Sequence, residues 1–273
     1  MHVVSPAKIN WSLRVLGRRA DGFHDLETLF QTISLHDVLT FTPARETSLT
    51  CDDPSIPTDE SNLILRAARA LGAPPVAIEL QKRIPAGGGL GGGSSNAAAT
   101  LRALNRLFDL GFENFDLAEI ALRLGSDVPF FLVGGTAYAT GRGEELAAMQ
   151  HAPKIPLLLL FPRERMLTPE AFRMLRRFSP PLGMERYAEI LERGLLADAG
   201  ELTNDFEEPV FAKLPRLAEL RQRLLDAGAA WARMSGSGST IVGAFRDAAA
   251  RDAALATLRA EVSDVRCEPA EPV

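Results

Sequence analysis

The sequence predicts an α+β protein of two domains, on three observations. The first third alternates apolar and polar residues as antiparallel strands do, six glycines in seven positions separate a strand from a helix, and the second half reads strand, helices, two strands, helix, strand. That last order is the one a ferredoxin-like sandwich needs. With 273 residues, 46% of them hydrophobic, the chain can fill two medium cores. The polar stretch 150–154 places the boundary near residue 152, giving domains 1–152 and 153–273.

Strand-like stretches run over 9–16, 29–35 and 38–41 before helical patterning sets in at 62–71. Residues 76–82 alternate apolar with polar or small, as a strand with one exposed face does. The glycine tract follows, and a helix beginning near Ser94 carries Ala97, Leu101, Leu104 and Phe108 on one face. Asp116-Leu117-Ala118-Glu119 resembles a capping box for a helix that stops at Gly125, and a strand at 136–139 closes the first domain. In the second half, 155–161 is short, apolar and bounded by prolines, which suits a buried strand. Thr168 and Pro169 suit an N-cap and first helical position. Helices are predicted at about 169–177, 184–196, 215–227 and 247–260, with strands at 231–234, 240–245 and 262–267.

Composition excludes several functions. A net charge of −5 and a pI near 5.5 supply no basic field for a nucleic acid, so no such partner is expected. Cys51 and Cys267 show no metal-ligand spacing, which predicts a reducing compartment and no protein-held metal. The longest apolar run, 155–161, is too short to span a bilayer, and residues 1–6 show no cationic stretch before an apolar core. A cytoplasmic protein with no membrane partner is therefore expected.

The glycine tract carries the chemistry. Pro85-Ala86-Gly87-Gly88-Gly89-Leu90-Gly91-Gly92-Gly93-Ser94-Ser95-Asn96 lacks Cβ atoms where main-chain N–H groups must converge, and it opens a helix whose first-turn donors and dipole favour an anion. A nucleotide phosphate chain is the natural occupant. Gly87-x-Gly89-x-x-Gly92 has the letters of a dinucleotide fingerprint, but the half-exposed strand before it argues against that fold. A P-loop needs a lysine after the final glycine, where Ser94 stands. A flexible linker would not join an amphipathic strand to an amphipathic helix.

Outside the tract, the residues alone leave alternatives open. Lys8 and Asn10 share one strand face, and Lys8 reads as a solvated edge lysine more readily than as a functional one. Asp127, ahead of apolar Val128-Pro129-Phe130-Phe131, reads equally as an N-cap or as a carboxylate with work to do. His24 follows an Asp-Gly turn and reads first as a turn histidine. Ser235-Gly236-Ser237-Gly238-Ser239 has more small residues than a tight hairpin needs, as though its backbone approached an anion.

Taken together, Pro6-Ala7-Lys8-Ile9-Asn10, the tract from Pro85 to Asn96 and the Ser235–Ser239 loop resemble, in order and spacing, the three motifs of the GHMP small-molecule kinases. Within that superfamily, Arg19-Ala20-Asp21-Gly22-Phe23-His24, Ser61-Asn62-Leu63, Leu124-Gly125-Ser126-Asp127-Val128-Pro129 and Asn204-Asp205-Phe206-Glu207 resemble the members whose acceptor is a cytidine diphosphate-linked methylerythritol. The resemblance implies an N-terminal α/β domain with a mostly antiparallel sheet and left-handed crossover, followed by a ferredoxin-like sandwich. It implies an ATP-dependent kinase of isoprenoid precursor synthesis, with Mg²⁺ carried by the nucleotide, acting as a monomer or weak homodimer. Asp127 then matches the base that takes the hydroxyl proton, and Lys8 the cation that holds it. Phe23 and Phe172 match a pair that stacks cytosine, with His24 reading the base edge; Phe23 stands where tyrosine is common. Asn10, Thr168, Ser237 and Gly238 match acceptor positions, and Asn62 and Lys82 the nucleotide side. Two other readings remain: a GHMP kinase for an alcohol such as mevalonate or homoserine, and a nucleotide-binding regulator without catalysis.

Overall fold

A computed structural model describes residues 1–151 and 153–273. Ala152, where the sequence places the domain boundary, lies outside the described residues. The chain forms two compact units, each built from separate stretches: Met1–Ala7, Leu35–Ala86 and Gly91–Gly134 in the first, Lys8–Ser34, Gly87–Leu90 and Gly135–Val273 in the second. Strands β1 (His2–Arg18) and β2 (His24–Pro43) contribute to both. The predicted strands at 29–35 and 38–41 are thus one strand, because the polar pair His36-Asp37 does not interrupt the extended chain.

In the first unit, the far end of β2 pairs antiparallel with β4 (Val76–Gln81), with Leu39 opposite Leu80 and Phe41 opposite Ile78. The short β3 (Ser48–Cys51), not anticipated from sequence, lies parallel to β4, with α1 (Leu63–Ala70) between them in the chain. Val76, Ile78 and Leu80 are buried while Glu79 and Gln81 are exposed, the alternation expected of a strand covered on one face. Helix α2 (Gly92–Leu107) buries Ala97, Leu101 and Leu104. It starts two residues before the predicted Ser94, because Gly91 at φ 68° takes the left-handed turn that lets Gly92 and Gly93 enter the helix. Helix α3 (Asn114–Leu124) begins earlier than the predicted box: the Asp116 carboxylate accepts from the Glu113 N–H at 2.9 Å. Helix α4 (Val128–Val133) follows and buries Val128 and Phe130.

In the second unit, residues 28–31 of β2 pair with β5 (Thr136–Thr140), which pairs with β6 (Glu145–Ala148), a strand the sequence reading missed. A second, four-stranded sheet contains β7 (Leu157–Phe161), β8 (Trp231–Met234), β9 (Ile241–Ala244) and β10 (Arg266–Ala270) in the order β10-β7-β9-β8, every neighbour antiparallel. This is the ferredoxin-like arrangement expected. Between β7 and β8 lie α5 (Thr168–Met174), α6 (Met184–Arg193), α7 (Glu207–Lys213) and α8 (Pro215–Asp226); α9 (Ala248–Glu261) joins β9 to β10. Leu217, Leu220 and Leu224, at spacings of three and four, present one apolar stripe to the core beside Leu158, Leu160 and Ile241. Leu167 rather than Thr168 occupies the N-cap of α5, so Thr168 and Pro169 sit one position further in than predicted.

Candidate active site

The first half of the glycine tract, Gly87–Leu90, belongs to the second unit and lies against the second glycine loop. Gly87 and Gly89 take φ of 67° and 76°, the left-handed region that costs a side-chain-bearing residue strain. The Thr240 N–H donates to the Gly88 carbonyl at 3.2 Å, and the Ser235 hydroxyl donates to that of Gly89 at 3.0 Å. A Cβ on Gly89 would lie 2.0 Å from the Ser235 carbonyl oxygen, so close that only glycine fits. Gly89 and Gly236 are small for this reason: there the two backbones meet where side chains would hold them apart.

Residues from the Asn204–Glu207 motif hold the second loop from behind. Asn204 Nδ2 donates to the carbonyls of Met234 and Gly236 at 2.7 and 2.8 Å, and Glu207 Oε1 accepts from the Met234 N–H at 2.8 Å. Burial raises the Glu207 pKa above the ordinary carboxylate value, against the pull of that N–H and of Arg233 and Arg221. Neither residue stood among the predicted site residues, since their partners are distant in sequence. Thr168 Oγ1 and Ser237 Oγ, both predicted, lie 2.9 Å apart. Gly238, at φ 94°, packs against Met234.

Lys8 is only 4% exposed, which overturns the solvated-lysine reading. Its Nζ donates to Asn10 Oδ1 at 2.8 Å and sits 5.0 Å from the centre of the Phe30 ring. Asn10 Nδ2 donates to Thr28 Oγ1 at 2.8 Å, and that hydroxyl donates to the Ser12 carbonyl at 2.6 Å. Asn10 is therefore committed at both ends of its amide, orienting the lysine. The Lys8 N–H donates to the Leu90 carbonyl at 3.0 Å, tying the lysine's own backbone to the glycine tract.

The second half of the tract belongs to the first unit. The first intrahelical bond of α2 runs from the Ser95 N–H to the Gly91 carbonyl at 2.8 Å, and helical geometry leaves the N–H groups of Gly92, Gly93 and Ser94 without intrahelical acceptors. Ser95 itself is used structurally: its amide enters the helix, and its hydroxyl donates to the Pro6 carbonyl at 2.6 Å and accepts from Ser5 at 2.7 Å. Asn62 is the N-cap of α1, its Oδ1 accepting from the Ile64 N–H at 2.9 Å. Lys82 and Asn96 both reach Asp37, a buried carboxylate the sequence reading passed over: Lys82 Nζ donates at 2.8 Å and Asn96 Nδ2 at 3.0 Å. Asp127 stands at the N-cap position of α4 but makes no capping bond to that helix among the described residues. The bland alternative for this carboxylate, capping, is thus removed.

The residues expected to read cytosine lie in the second unit. The His24 ring stacks on Phe172 with centres 4.7 Å apart and planes 20° apart, while Phe172 meets Phe206 edge-on. Burial, assisted by Arg18, lowers the His24 pKa below its ordinary value. Phe23 is 53% exposed, and the Arg142 guanidinium lies 4.9 Å from its ring centre. The structure thus pairs Phe172 with the histidine and Phe23 with an arginine. Buried Glu27, also unforeseen, accepts from the N–H groups of Leu182 and Gly183 at 2.7 Å each and pins the connection between α5 and α6.

Among the described residues no three His, Cys, Asp or Glu side chains cluster as metal ligands, and no helix is long and apolar enough to cross a membrane.

Residues 62–135 match the GHMP kinases N terminal domain and residues 187–264 the GHMP kinases C terminal domain. A relative from Solibacter usitatus (strain Ellin6076), named 4-diphosphocytidyl-2-C-methyl-D-erythritol kinase, is 46% identical over 259 residues, covering 90% of this chain and 81% of its own. One of the same name from Salinibacter ruber (strain DSM 13855 / M31) is 43% identical, with 93% of each chain covered. A crystal structure of 4-(cytidine 5'-diphospho)-2C-methyl-D-erythritol kinase superposes with a TM-score of 0.84 at 38% identity, over 100% of this chain and 99% of its own. The chain therefore belongs to the GHMP kinases and, within them, to the 4-diphosphocytidyl-2-C-methyl-D-erythritol kinase family.

Proposed function

We propose that this chain transfers the γ-phosphoryl group of ATP to the tertiary 2-hydroxyl of 4-diphosphocytidyl-2-C-methyl-D-erythritol, releasing ADP and the 2-phosphate, in the methylerythritol phosphate route to isoprenoid precursors. The observation that carries it is Lys8: a buried ammonium oriented by Asn10, on a residue whose main-chain N–H donates to the Leu90 carbonyl of the glycine tract. A buried ammonium held in one orientation and tied through its backbone to the tract supports a role toward an anionic or reacting group.

Phosphoryl transfer depends on alignment and charge neutralisation more than on covalent chemistry. The main-chain amides of Gly87 to Ser94 bind the phosphates, as left-handed glycines and a helix N-terminus do for anions. Asp127 accepts the proton of the 2-hydroxyl as its oxygen bonds to the γ-phosphorus, and the bond from phosphorus to the bridging oxygen breaks with its electrons going to ADP. Lys8 stabilises the developing charge. Carried on the nucleotide, Mg²⁺ would supply further charge neutralisation at the phosphates that the tract's amides hold. Phe23 offers an exposed ring face to the pyrimidine, and Phe172 holds the His24 ring that reads the base edge. Thr168, Ser237 and Gly238 serve the acceptor side, while Asn62 serves the nucleotide side through the start of α1. A cytoplasmic location and a monomer or weak homodimer belong to the same proposal.

ADP release measured with the cytidylyl compound, mevalonate and homoserine tests the assignment. Turnover of the cytidylyl compound alone is expected. Activity with mevalonate or homoserine and none with the cytidylyl compound would reject it, and ATP binding without turnover of any alcohol would favour a regulator.

A further inference from the structure

Asp37 has no exposed surface, yet four donors converge on its carboxylate. Oδ1 accepts from the N–H groups of Arg83 and Ile84 at 2.7 and 2.8 Å. Oδ2 accepts from Lys82 Nζ at 2.8 Å and from Asn96 Nδ2 at 3.0 Å. Arg83 and Ile84 directly precede Pro85, and Asn96 lies in the second turn of α2, so both ends of the glycine tract are fastened to one carboxylate. Lys82 Nζ, which also donates to the Ile84 carbonyl, lies 3.3 Å from where a Cβ on Gly92 would stand, under the first residue of the helix. The Asn96 Oδ1 is buried and accepts no hydrogen bond among the described residues, so what this side chain supplies is its donor to Asp37.

We propose that Asp37 is a positioning residue of the nucleotide site, and that Lys82 and Asn96 act on ATP through it rather than by touching the phosphates. Closing a flexible loop costs entropy that a ligand would otherwise have to meet on binding. A carboxylate that clamps both ends of the tract holds its amides near their binding geometry before the nucleotide arrives. Two acceptor oxygens are required, because two main-chain amides, an ammonium and a side-chain amide all donate to this one side chain. The inference rests on the proposal that the tract binds ATP.

The test is Asp37→Asn, an isostere that keeps one acceptor oxygen and turns a donor toward Lys82 and Asn96. The readouts are the Kd of a non-hydrolysable ATP analogue with Mg²⁺, together with steady-state kinetics. The Kd and the KM for ATP should rise on the order of 10-fold, while kcat and the KM for the alcohol stay within about twofold. A folded variant with unchanged nucleotide affinity, or one whose two KM values rise together, overturns the proposal. If Asp37→Asn does not fold, Lys82→Met and Asn96→Leu carry the test, each expected to raise the analogue Kd about threefold. Unchanged affinity in both also overturns it. A wild-type chain that binds no analogue sinks the kinase reading with it; wild-type binding and turnover beside unaltered variants sink this proposal alone.

Discussion

Replacing Asp127 by Asn keeps the shape of the side chain and removes the proposed base. Because Asp127 makes no bond that caps α4, the substitution should leave the helix intact. Loss of a positioned base predicts a fall in kcat of at least ~10² with nucleotide affinity unchanged. Stopped kinetics with an intact Kd for ATP would bear this out, and an unaltered kcat would remove Asp127 from the mechanism. His24 makes a prediction in pH. Burial, then the charge of Arg18, favours the neutral imidazole and holds its pKa below the ordinary 6.5. The neutral ring offers one donor and one acceptor to a base edge, and the protonated ring two donors. The KM for the cytidylyl acceptor should therefore stay flat as pH falls through 6.5 and rise only below it. Arg18→Gln removes a charge that opposes protonation, so the rise should move to higher pH. A KM profile between about pH 8 and pH 5 decides the matter, and a wild-type rise centred above 6.5 contradicts it.

At the scale of the element, the two glycine loops predict unequal sensitivity at residues two apart. Gly87 and Gly89 share a left-handed conformation, but nothing lies within 4 Å of a Cβ on Gly87, whereas one on Gly89 would meet the Ser235 carbonyl at 2.0 Å. Gly87→Ala should cost about 1–2 kcal/mol, the ordinary left-handed penalty. Gly89→Ala should cost more and raise the KM for ATP, because it pushes the tract off the loop that supports it. Melting temperatures and the KM for ATP of the pair test this, and equal effects would show that the contact contributes nothing. The tract was legible in sequence because glycine runs have few uses between a strand and a helix. The four-strand sheet was legible because few chain paths satisfy its element order. The shared face of Lys8 and Asn10 followed from the period of two, but alternation tells which face a residue occupies and not how deep it lies. Asp37 was illegible for the same reason: its side-chain and main-chain partners stand 45, 46, 47 and 59 residues away, so no local pattern marks it. Asn204, bonded to carbonyls 30 and 32 residues on, was noticed as part of a motif but its task was not. The stack of His24 on Phe172 is likewise a tertiary fact that neither residue announces.

For the whole molecule, acid is the informative stress. Asp21, Asp53, Asp59, Glu144, Glu170 and Glu201 all have pKa values lowered in the fold. Such groups bind protons more readily when unfolded, so the stability they contribute is present above their ordinary values of 3.8 and 4.5 and is lost as pH falls through the lower folded values. Glu207 works in the opposite sense: its raised pKa makes the folded form take up a proton first, which favours the fold on acidification. Six against one predicts a net loss, and the change from a neutral chain near pH 5.5 to a positive one adds self-repulsion. Salt separates the causes. Glu170 and Glu201 owe their shifts first to Lys213 and Arg186, exposed ion pairs that about 1 M salt screens. Asp53 and Asp59 owe theirs first to the hydroxyls of Ser55 and Ser61, and Asp21 to the Phe23 N–H, contact hydrogen bonds that survive in salt. The melting temperature should therefore fall between about pH 5 and pH 3 at low salt, and should still fall, less steeply, in about 1 M NaCl. Complete loss of the pH dependence in salt would mean that ion pairs alone carry it, and a melting temperature that holds to pH 3 would mean that these contacts persist in the unfolded chain.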